Sequence, residues 1–365
     1  MADVAFAGAG EAAFTGAALL RSLGHGATIW APPNAGQGLD AVLAGSPITI
    51  SGALEGTYDV RGVRDPAALA ASADVIYLAV SAYYQKAVIE ALAPHLEDRH
   101  LVLCFGANLG GGALYLDRLL ADAGRKTRIA VMNGPMIGGR RTSDTECVTA
   151  PYRKSVLLNG LPGSDTASIV ADLEAIYGRR FRTLGSGNAL EVALTALNGV
   201  VHVVKALTNI TRIEEGLPWC DYRYTTESVS NLTEAADEDR IAVGRAYGFE
   251  LTGAVRWFDP SGRAKTVQEA MQPIRLHRTF KPGPTNIETR YLEEELPYSF
   301  YVVEQLGRKA GVATPMITNL INLLNATRRR DYRKMHDMAA ATGLDELDVE
   351  GTLALWRDGF RGAAA

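Results

Sequence analysis

A glycine-containing turn at residues 8–13 joins a segment typical of a β-strand to one typical of an α-helix. Residues 4–7 are apolar and strand-like, whereas residues 11–23 have helical character up to Gly24. Gly8 allows a tight turn, Gly10 lets a pyrophosphate approach the backbone, and Ala13 is small where helix meets strand. The turn matches the G-x-G-x-x-A fingerprint in its proper context, and it predicts a Rossmann-type dinucleotide-binding unit. The residues that it assigns to cofactor binding are Gly8, Gly10, Glu11, Ala12 and Ala13.

Strand-like and helical segments alternate through the first half of the chain. The apolar, β-rich runs after the turn are residues 27–30, 48–50, 75–80, 101–105, 129–131 and 155–158. Helical segments, for example 81–92 and 113–123, lie between several of them. This alternation is typical of a parallel sheet wound by right-handed crossovers. We therefore predict an α/β fold with a Rossmann-type, doubly wound parallel sheet.

The character of the sequence changes near residues 185–187. Residues 189–215 have the composition of one long helix that is apolar on nearly all sides, which is typical of a helix buried at the centre of a domain. Helical patterns at 232–247 and 299–310 follow. A chain of 365 residues is long enough for two domains. We predict a dinucleotide-binding domain over 1–185 and an all-α substrate and dimerisation domain over 186–365.

The end of the second predicted strand bears on the choice between NAD and NADP. An acidic residue at this point usually binds the ribose 2′-hydroxyl of NAD. Here the strand ends at Trp30 and Ala31, and residues 31–34 contain no carboxylate. The next arginine is Arg61, so a nearby partner for a 2′-phosphate is missing as well. We expect NAD(P)H as the cofactor, with a slight preference for NADPH.

Two further turns follow predicted strands. Ser81-Ala82 comes after residues 75–80, and Gly106-Ala107 opens a glycine-rich run after residues 101–105. Open α/β sheets bind ligands at the carboxyl ends of their strands, so these residues, with Trp30 and Ala31, are predicted to line the cofactor site. For the glycine-rich run, loop geometry alone explains the composition equally well. Glu11 is expected to face solvent, because a carboxylate repels a pyrophosphate.

A polar pair interrupts the apolar helix of the second half. Asn198 and His202 are four residues apart, so their side chains share one helix face. A histidine satisfied within a core is the simplest interpretation of a lone residue of this kind. The alternative is a general acid–base, since hydride transfer to a carbonyl or an imine needs a group that handles a proton near neutral pH. Lys205 is a rival candidate, although a lysine that reaches the surface is the favoured interpretation.

Residues 286–297 are dense in polar side chains and include three consecutive glutamates, 293–295. Such a run is normally a solvated face. The functional alternative is a carboxylate that holds a catalytic histidine in one tautomer. Sequence spacing leaves open whether Glu295 meets His202.

Composition narrows the classes of partner and the compartment. The net charge of −4 indicates neither a nucleic-acid surface nor an anionic membrane. Three widely spaced cysteines without C-x-x-C spacing argue against a zinc site or a disulfide framework, and they fit a reducing compartment. The N-terminus lacks a signal-peptide pattern, and charge or glycine interrupts the apolar stretches. We expect a cytoplasmic protein that acts on small molecules.

With these motifs in order, the chain resembles the opine dehydrogenase family over nearly its full length. The N-terminal turn contributes to the resemblance, and the C-terminal motifs, taken together, are more specific. The remaining motifs are Gly106-x-x-x-Gly110-Gly111, Asn198-x-x-x-His202, Glu234-x-x-x-x-Glu238-x-Arg240-x-Ala242-x-x-x-Ala246-x-Gly248, Thr289-Arg290-Tyr291-x-x-Glu294-Glu295-x-Pro297 and Leu306-Gly307-x-x-x-Gly311-Val312-x-Thr314-Pro315.

The resemblance implies NAD(P)H-dependent reductive condensation of an amino acid or amine with a 2-oxo acid through an imine. It implies that His202 is the catalytic histidine and that Glu295 replaces the family's usual aspartate as its partner. Asn198 would orient the substrate or the nicotinamide carboxamide. Arg290 is either a clamp for a substrate carboxylate or a structural partner of the neighbouring glutamates. The amino donor, the 2-oxo acid and the oligomeric state stay open, and the apolar second domain is compatible with a homodimer.

Two other functions remain open at this point. A carbonyl reductase of the ketopantoate reductase or glycerol-3-phosphate dehydrogenase type would reduce a 2-oxo acid without an amine. A catalytically silent dinucleotide-binding protein would bind the cofactor without oxidising it.

Overall fold

The structure is a computed structural model, and it describes residues 2–33, 38–105, 112–178, 180–277 and 282–362. The described part of the chain divides into two compact units. The first contains the residues up to Ala193 and those from Thr352 onward, and the second contains residues 194–351. The predicted division at residue 185 differs from this in two ways. The boundary lies later in the chain, and the C-terminal segment belongs to the first unit.

The regular elements are as follows. The strands are β1 (Asp3–Ala7), β2 (Gly26–Trp30), β3 (Ile48–Gly52), β4 (Gly56–Tyr58), β5 (Arg61–Gly62), β6 (Val75–Leu78), β7 (Leu101–Phe105), β8 (Arg128–Met132), β9 (Gly139–Arg141), β10 (Glu146–Thr149), β11 (Val156–Leu161) and β12 (Phe181–Arg182). The helices are α1 (Glu11–Ser22), α2 (Leu39–Leu43), α3 (Pro66–Ser72), α4 (Ala82–Leu92), α5 (Gly112–Asp122), α6 (Thr166–Tyr177), α7 (Ala189–Leu194), α8 (Asn198–Thr208), α9 (Ile210–Glu214), α10 (Glu227–Ala246), α11 (Ala254–Phe258), α12 (Val267–His277), α13 (Arg290–Glu293), α14 (Tyr301–Lys309), α15 (Pro315–Arg328), α16 (Ala339–Thr342) and α17 (Val349–Gly362). A π-helical turn, Leu296–Phe300, precedes α14.

A largely parallel sheet forms the centre of the first unit. Among the described residues it has eight strands, in the order β12-β11-β8-β7-β6-β1-β2-β5. From β5 to β8 every neighbouring pair is parallel. This is the 3-2-1-4-5-6 strand order of a doubly wound dinucleotide-binding domain. The predicted fold class, a Rossmann-type domain combined with a helical one, is confirmed.

Two of the predicted strands do not belong to the parallel part of this sheet. Residues 48–50 lie in β3, which is part of a separate sheet of order β4-β3-β10-β9. Residues 155–158 overlap β11, which pairs antiparallel with β8. Hydrophobic periodicity identifies a strand but not its neighbour, so the sequence pattern did not distinguish these pairings.

A buried ion pair attaches the C-terminal helix to the first unit. Arg361 Nε lies 2.7 Å from Oδ1 of the fully buried Asp117. The Nη groups of Arg361 donate to the carbonyl oxygens of Thr127 and Leu161 at 2.7 and 2.8 Å. Burial raises the pKa of Asp117, and the charge of Arg361 opposes that shift. Because these partners are far apart in sequence, the local pattern gave no sign that the end of α17 joins the first unit.

The regular structure of the second unit is helical in the part that the structure describes. The single helix predicted over residues 189–215 is wrong, because the segment is divided into α7, α8 and α9. The Leu194 carbonyl accepts a 2.6 Å hydrogen bond from the buried Arg240 side chain. In a continuous helix that oxygen would accept from the N–H four residues later. A side chain from α10 therefore replaces the helical hydrogen bond at the end of α7.

The apolar segment around this break is part of the core. By length and composition alone, Ala189–Thr208 is apolar enough to cross a membrane. However, most of that stretch is buried within the protein, and α7 and α8 are separate helices. Burial on nearly all sides is typical of a helix at the centre of a domain.

Candidate active site

The N-terminal turn has the geometry that a dinucleotide site requires. Gly8 has a φ of +145°, and a Cβ atom there would overlap the carbonyl oxygen of Ala79. Its N–H donates a 2.6 Å hydrogen bond to the Trp30 carbonyl at the end of β2. Gly10 precedes α1, and among the described residues no heavy atom beyond its chain neighbours lies within 4 Å of the position that its Cβ would take. The helix N-terminus is therefore open to a close ligand, and these residues fit the pyrophosphate of a dinucleotide.

The other predicted cofactor residues lie on α1, at the end of β2 or directly after it, or after β6 and β7. Those with buried side chains are Ala13, Trp30, Ala31 and Ala82. Because these side chains are buried, their contribution is limited to backbone contacts and to the shape of the site. Ala12 and Ser81 are half-buried. Gly106 and Ala107 fall outside the described residues, and the roles of all these residues stay predictions.

An arginine from β9 lies beside the turn. Arg141 Nη1 donates a 2.9 Å hydrogen bond to the Ala9 carbonyl, and its guanidinium lies 5.3 Å from the centre of the Phe14 ring. Its backbone N–H donates to the exposed Glu11 carboxylate at 3.2 Å. Its Nη2 lies 3.1 Å from the position of a Cβ on Gly38, between β2 and α2. Sequence reasoning missed this positive charge because it searched only the segment that follows β2.

In the second unit, the structure brings His202 and Glu295 together. His202 Nδ1 on α8 lies 3.0 Å from Glu295 Oε1, which comes just before the π-helical turn. The histidine side chain is 13% exposed and the glutamate side chain 1%. Burial raises the pKa of Glu295 well above its ordinary value, Glu294 raises it further, and Arg290 opposes both effects. The predicted pairing of the histidine with an acid is therefore present in the structure.

A tyrosine supports the histidine ring. Tyr291 stacks on His202 with ring centres 3.9 Å apart and planes 8° apart. Its hydroxyl donates a 3.0 Å hydrogen bond to Asp221 Oδ2. Asp221 Oδ1 in turn lies 2.7 Å from Lys205 Nζ, and both of these side chains are only 1% exposed. We call Lys205, Asp221 and Tyr291 the buried triad.

Lys205 corrects one sequence interpretation. A lysine that reaches the surface was favoured, but the side chain is buried and paired with Asp221. Its Nζ also lies 5.1 Å from the centre of the Tyr222 ring. The spacing of Lys205 on the helix was visible in the sequence, whereas Asp221 lies in a loop with no periodicity to mark it. The sequence therefore offered one half of this ion pair and no signal for the other.

The composition of the glutamate run indicated a solvated face. For two of its three glutamates this is wrong. Glu294 and Glu295 are 2% and 1% exposed. Arg290 Nε lies 2.9 Å from Glu294 Oε2, and the arginine side chain remains 46% exposed. Glu294 is the main cause that raises the pKa of Arg290. The structural ion pair is thus present, while the exposed guanidinium also keeps the clamp interpretation open.

Asn198 is the first residue of α8, one turn before His202. Its side chain is half-buried and makes no hydrogen bond to another described residue. Its predicted role in orienting a ligand stays a prediction.

Each unit, taken by itself, contains one chemical element of interest. The first unit has a helix N-terminus that suits a pyrophosphate. The second unit has a histidine held by a buried acid. Dehydrogenases need both a cofactor site and a proton-transfer group.

Comparisons with known proteins agree with this chemistry. Residues 185–328 match the family described as NAD/NADP octopine/nopaline dehydrogenase, alpha-helical domain. An opine dehydrogenase from Arthrobacter sp. (strain 1C) is 26% identical over 283 residues, which cover 76% of this chain and 77% of that protein.

Solved structures share the fold at low identity. Octopine dehydrogenase in complex with NADH and agmatine has a TM-score of 0.76 at 15% identity and covers 98% of both chains. Yersinopine dehydrogenase with NADP⁺ bound has a TM-score of 0.67 at 14% identity, over 94% of this chain and 98% of that one. A PanE/ApbA family ketopantoate reductase from Ralstonia eutropha JMP134 has a TM-score of 0.59 at 20% identity, over 93% and 99%.

The fold and the site thus define an NAD(P)-dependent oxidoreductase with a Rossmann-type domain and a helical domain. Within that class, the chain resembles the opine dehydrogenase family, because residues 185–328 match its alpha-helical domain and 283 residues are 26% identical to an opine dehydrogenase. The matches do not favour a ketopantoate-reductase-type enzyme or a silent dinucleotide-binding protein.

Proposed function

We propose that this chain condenses the amino group of an amino acid or amine with a 2-oxo acid and reduces the product with NAD(P)H. The amine nitrogen adds to the carbonyl carbon to give a carbinolamine, and loss of water gives an imine. Addition of one hydride to that carbon and one proton to nitrogen yields a secondary amine. The His202–Glu295 pair in a helical domain of the opine dehydrogenase type carries the proposal.

The proton steps fall to the second unit. Dehydration of a carbinolamine needs a proton delivered to the departing hydroxyl, and His202 supplies it in this proposal. Glu295 holds the imidazole in one tautomer and balances the positive charge that the ring gains. Asn198 orients the substrate, and Arg290 binds a substrate carboxylate through its exposed guanidinium. When bound to the first unit, NAD(P)H supplies the hydride.

Related structures suggest the kinds of substrate. Octopine dehydrogenase has been solved with L-arginine, with agmatine and with pyruvate. By analogy, we propose a small 2-oxo acid and an amino acid or amine for this chain. The experiment is a spectrophotometric screen of NADH and NADPH against 2-oxo acids, each with and without a panel of amines. Oxidation that requires both substrates supports the proposal, whereas equal oxidation by the 2-oxo acid alone would indicate a carbonyl reductase.

We also propose a preference for NADPH, which is supported by Arg141. Residues 31–33 place no carboxylate at the end of β2, and the Arg141 guanidinium lies beside Gly38, which directly precedes α2. A guanidinium there suits a 2′-phosphate through charge-assisted hydrogen bonds.

Arg141→Gln should weaken NADPH binding by about tenfold or more, since a hydrogen bond to a charged group contributes about 1.5–3 kcal/mol. NADH binding should hardly change, because NADH lacks the phosphate. Dissociation constants from quenching of protein fluorescence measure both effects. Arg140→Gln removes an exposed charge from the same strand and serves as the matched control. Equal weakening of NADH and NADPH would assign Arg141 to support of the turn instead.

For the compartment and assembly, we propose a cytoplasmic protein that forms a homodimer. The three cysteines are unpaired and buried, which suits a reducing compartment. The mass of the purified protein in solution tests the dimer.

A further inference from the structure

Arg153 lies in the loop between β10 and β11 and packs flat against a glycine. A Cβ on Gly134 would lie 2.7 Å from Nη1, 3.0 Å from Cζ and 3.1 Å from Nη2 of Arg153. These three guanidinium atoms all lie close to that position, so a side chain at residue 134 would displace the guanidinium. The backbone N–H of Arg153 donates a 2.9 Å hydrogen bond to the Met136 carbonyl, which fixes the base of the side chain.

This guanidinium has no anionic partner within the described part of the chain. It forms no side-chain hydrogen bond or ion pair there, and the residue is only partly exposed. Burial alone lowers the pKa of Arg153, with no opposing effect from a nearby acid. The neighbouring arginine differs, because Arg180 lies 3.9 Å from the centre of the Tyr152 ring. A partly buried cation without a carboxylate is costly unless something else supplies the negative charge.

The position of Arg153 in the sheet indicates which kind of ligand supplies the missing negative charge. Gly134 lies two residues after the end of β8, at the carboxyl end of the parallel strands. In a doubly wound sheet, the strands β6, β7 and β8 form the second mononucleotide-binding half. In sheets of this kind the first half holds the adenosine part of a dinucleotide, so the second half would hold the nicotinamide part. A substrate that accepts a hydride must have its reacting carbon beside the nicotinamide.

We infer that Arg153, held against Gly134, binds the carboxylate of the 2-oxo acid. This inference rests on the proposed condensation and adds a substrate contact that sequence reasoning did not find. In a 2-oxo acid the carboxylate is bonded to the carbon that accepts the hydride, so a cation at the end of β8 is placed to bind it. The planar guanidinium matches both carboxylate oxygens. Arg290 in the second unit is then left for the carboxylate of an amino acid donor.

The test compares a 2-oxo acid with its 1-methyl ester, which keeps the carbonyl and lacks the negative charge of the carboxylate bonded to it. The acid is the best wild-type substrate among glyoxylate, pyruvate, 2-oxobutyrate and 2-oxoglutarate. Arg153→Gln should lower kcat/KM for the acid at least tenfold, mainly through KM, and leave kcat/KM for the ester nearly unchanged. Gly134→Ala should have the same effect, because its methyl group displaces the guanidinium without altering the charge. Arg125→Gln, at an exposed site, is the matched control.

The outcomes separate the inference from the function on which it rests. Suppose that NADPH affinity and the melting temperature of Arg153→Gln match those of wild type. If kcat/KM then falls equally for acid and ester, or is unchanged for both, Arg153 does not bind the carboxylate. If a variant loses NADPH affinity instead, Arg153 serves the cofactor and the inference is again overturned. If the wild-type protein shows no amine-dependent oxidation with any of these acids, the proposed function itself fails.

Discussion

Replacement of His202 by alanine is expected to lower kcat by a factor of about 10²–10⁴, the usual contribution of a general acid–base. The imidazole contacts Glu295 at 3.0 Å and stacks on Tyr291, so it is held in one orientation at the edge of the second unit's core. NADPH affinity should stay near the wild-type value, because the phosphate turn belongs to the first unit. Single-turnover kinetics and an NADPH titration measure the two quantities.

The histidine variant needs a readout that separates chemistry from structure. Added imidazole should restore part of the activity of His202→Ala if a missing proton donor is the defect. Glu295→Gln keeps the shape of the partner but not its charge, and a smaller loss is expected together with an altered pH profile. Near-normal turnover in His202→Ala, with an unchanged melting temperature, would contradict the assigned role.

Removal of Asp221 should have the largest effect on stability. Asp221→Ala leaves Lys205 as an uncompensated charge in a site that is only 1% exposed, which costs about 3–5 kcal/mol. It also removes the acceptor of the Tyr291 hydroxyl. Urea unfolding followed by tryptophan fluorescence measures the loss, and the buried Trp219, near Asp221 in sequence, provides a local probe. Unfolding at wild-type urea concentrations would show that the pair does not hold this region together.

A double variant separates the charge from the positioning of the histidine. Lys205→Met combined with Asp221→Leu removes both charges, and stability should return close to the wild-type value because hydrophobic replacements of buried pairs are often neutral. Activity should stay reduced, since Tyr291 remains without its anchor below the His202 ring. Full recovery of kcat would show that the buried triad has no part in positioning the histidine.

The sequence predicted the features that depend on local pattern. The strand–turn–helix context of Gly8 and Gly10 predicted a Rossmann-type unit, and the observed strand order agrees. The i, i+4 spacing of Asn198 and His202 predicted that they share one helix face. This prediction holds although the helix is shorter than expected, because both residues lie in α8. The approach of Glu295 to His202 came from the family resemblance, because no spacing rule relates residues so far apart.

The features that the sequence did not predict depend on tertiary contacts. Arg240 on α10 donates a hydrogen bond to the last carbonyl of α7, and Arg361 on α17 pairs with Asp117 of the first unit. Arg141 lies beside the cofactor turn although it follows that turn by well over a hundred residues. Lys205 was assigned to the surface because a lone lysine on a helix usually reaches it, and only the structure reveals Asp221. In each case a charged side chain has a partner from a distant element.

The central claim is reduction of a carbon–nitrogen bond, and the position of a transferred hydrogen tests it most directly. The enzyme is incubated with NADPH deuterated at C4 of the nicotinamide, the best 2-oxo acid and the best amine, and the products are identified by mass spectrometry and NMR. We predict a secondary amine that carries deuterium on the former carbonyl carbon. When the deuterium occupies the position that the enzyme transfers, the amounts of deuterated amine and NADP⁺ should be equal. A deuterated 2-hydroxy acid as the main product, with the amine recovered unchanged, would contradict the account.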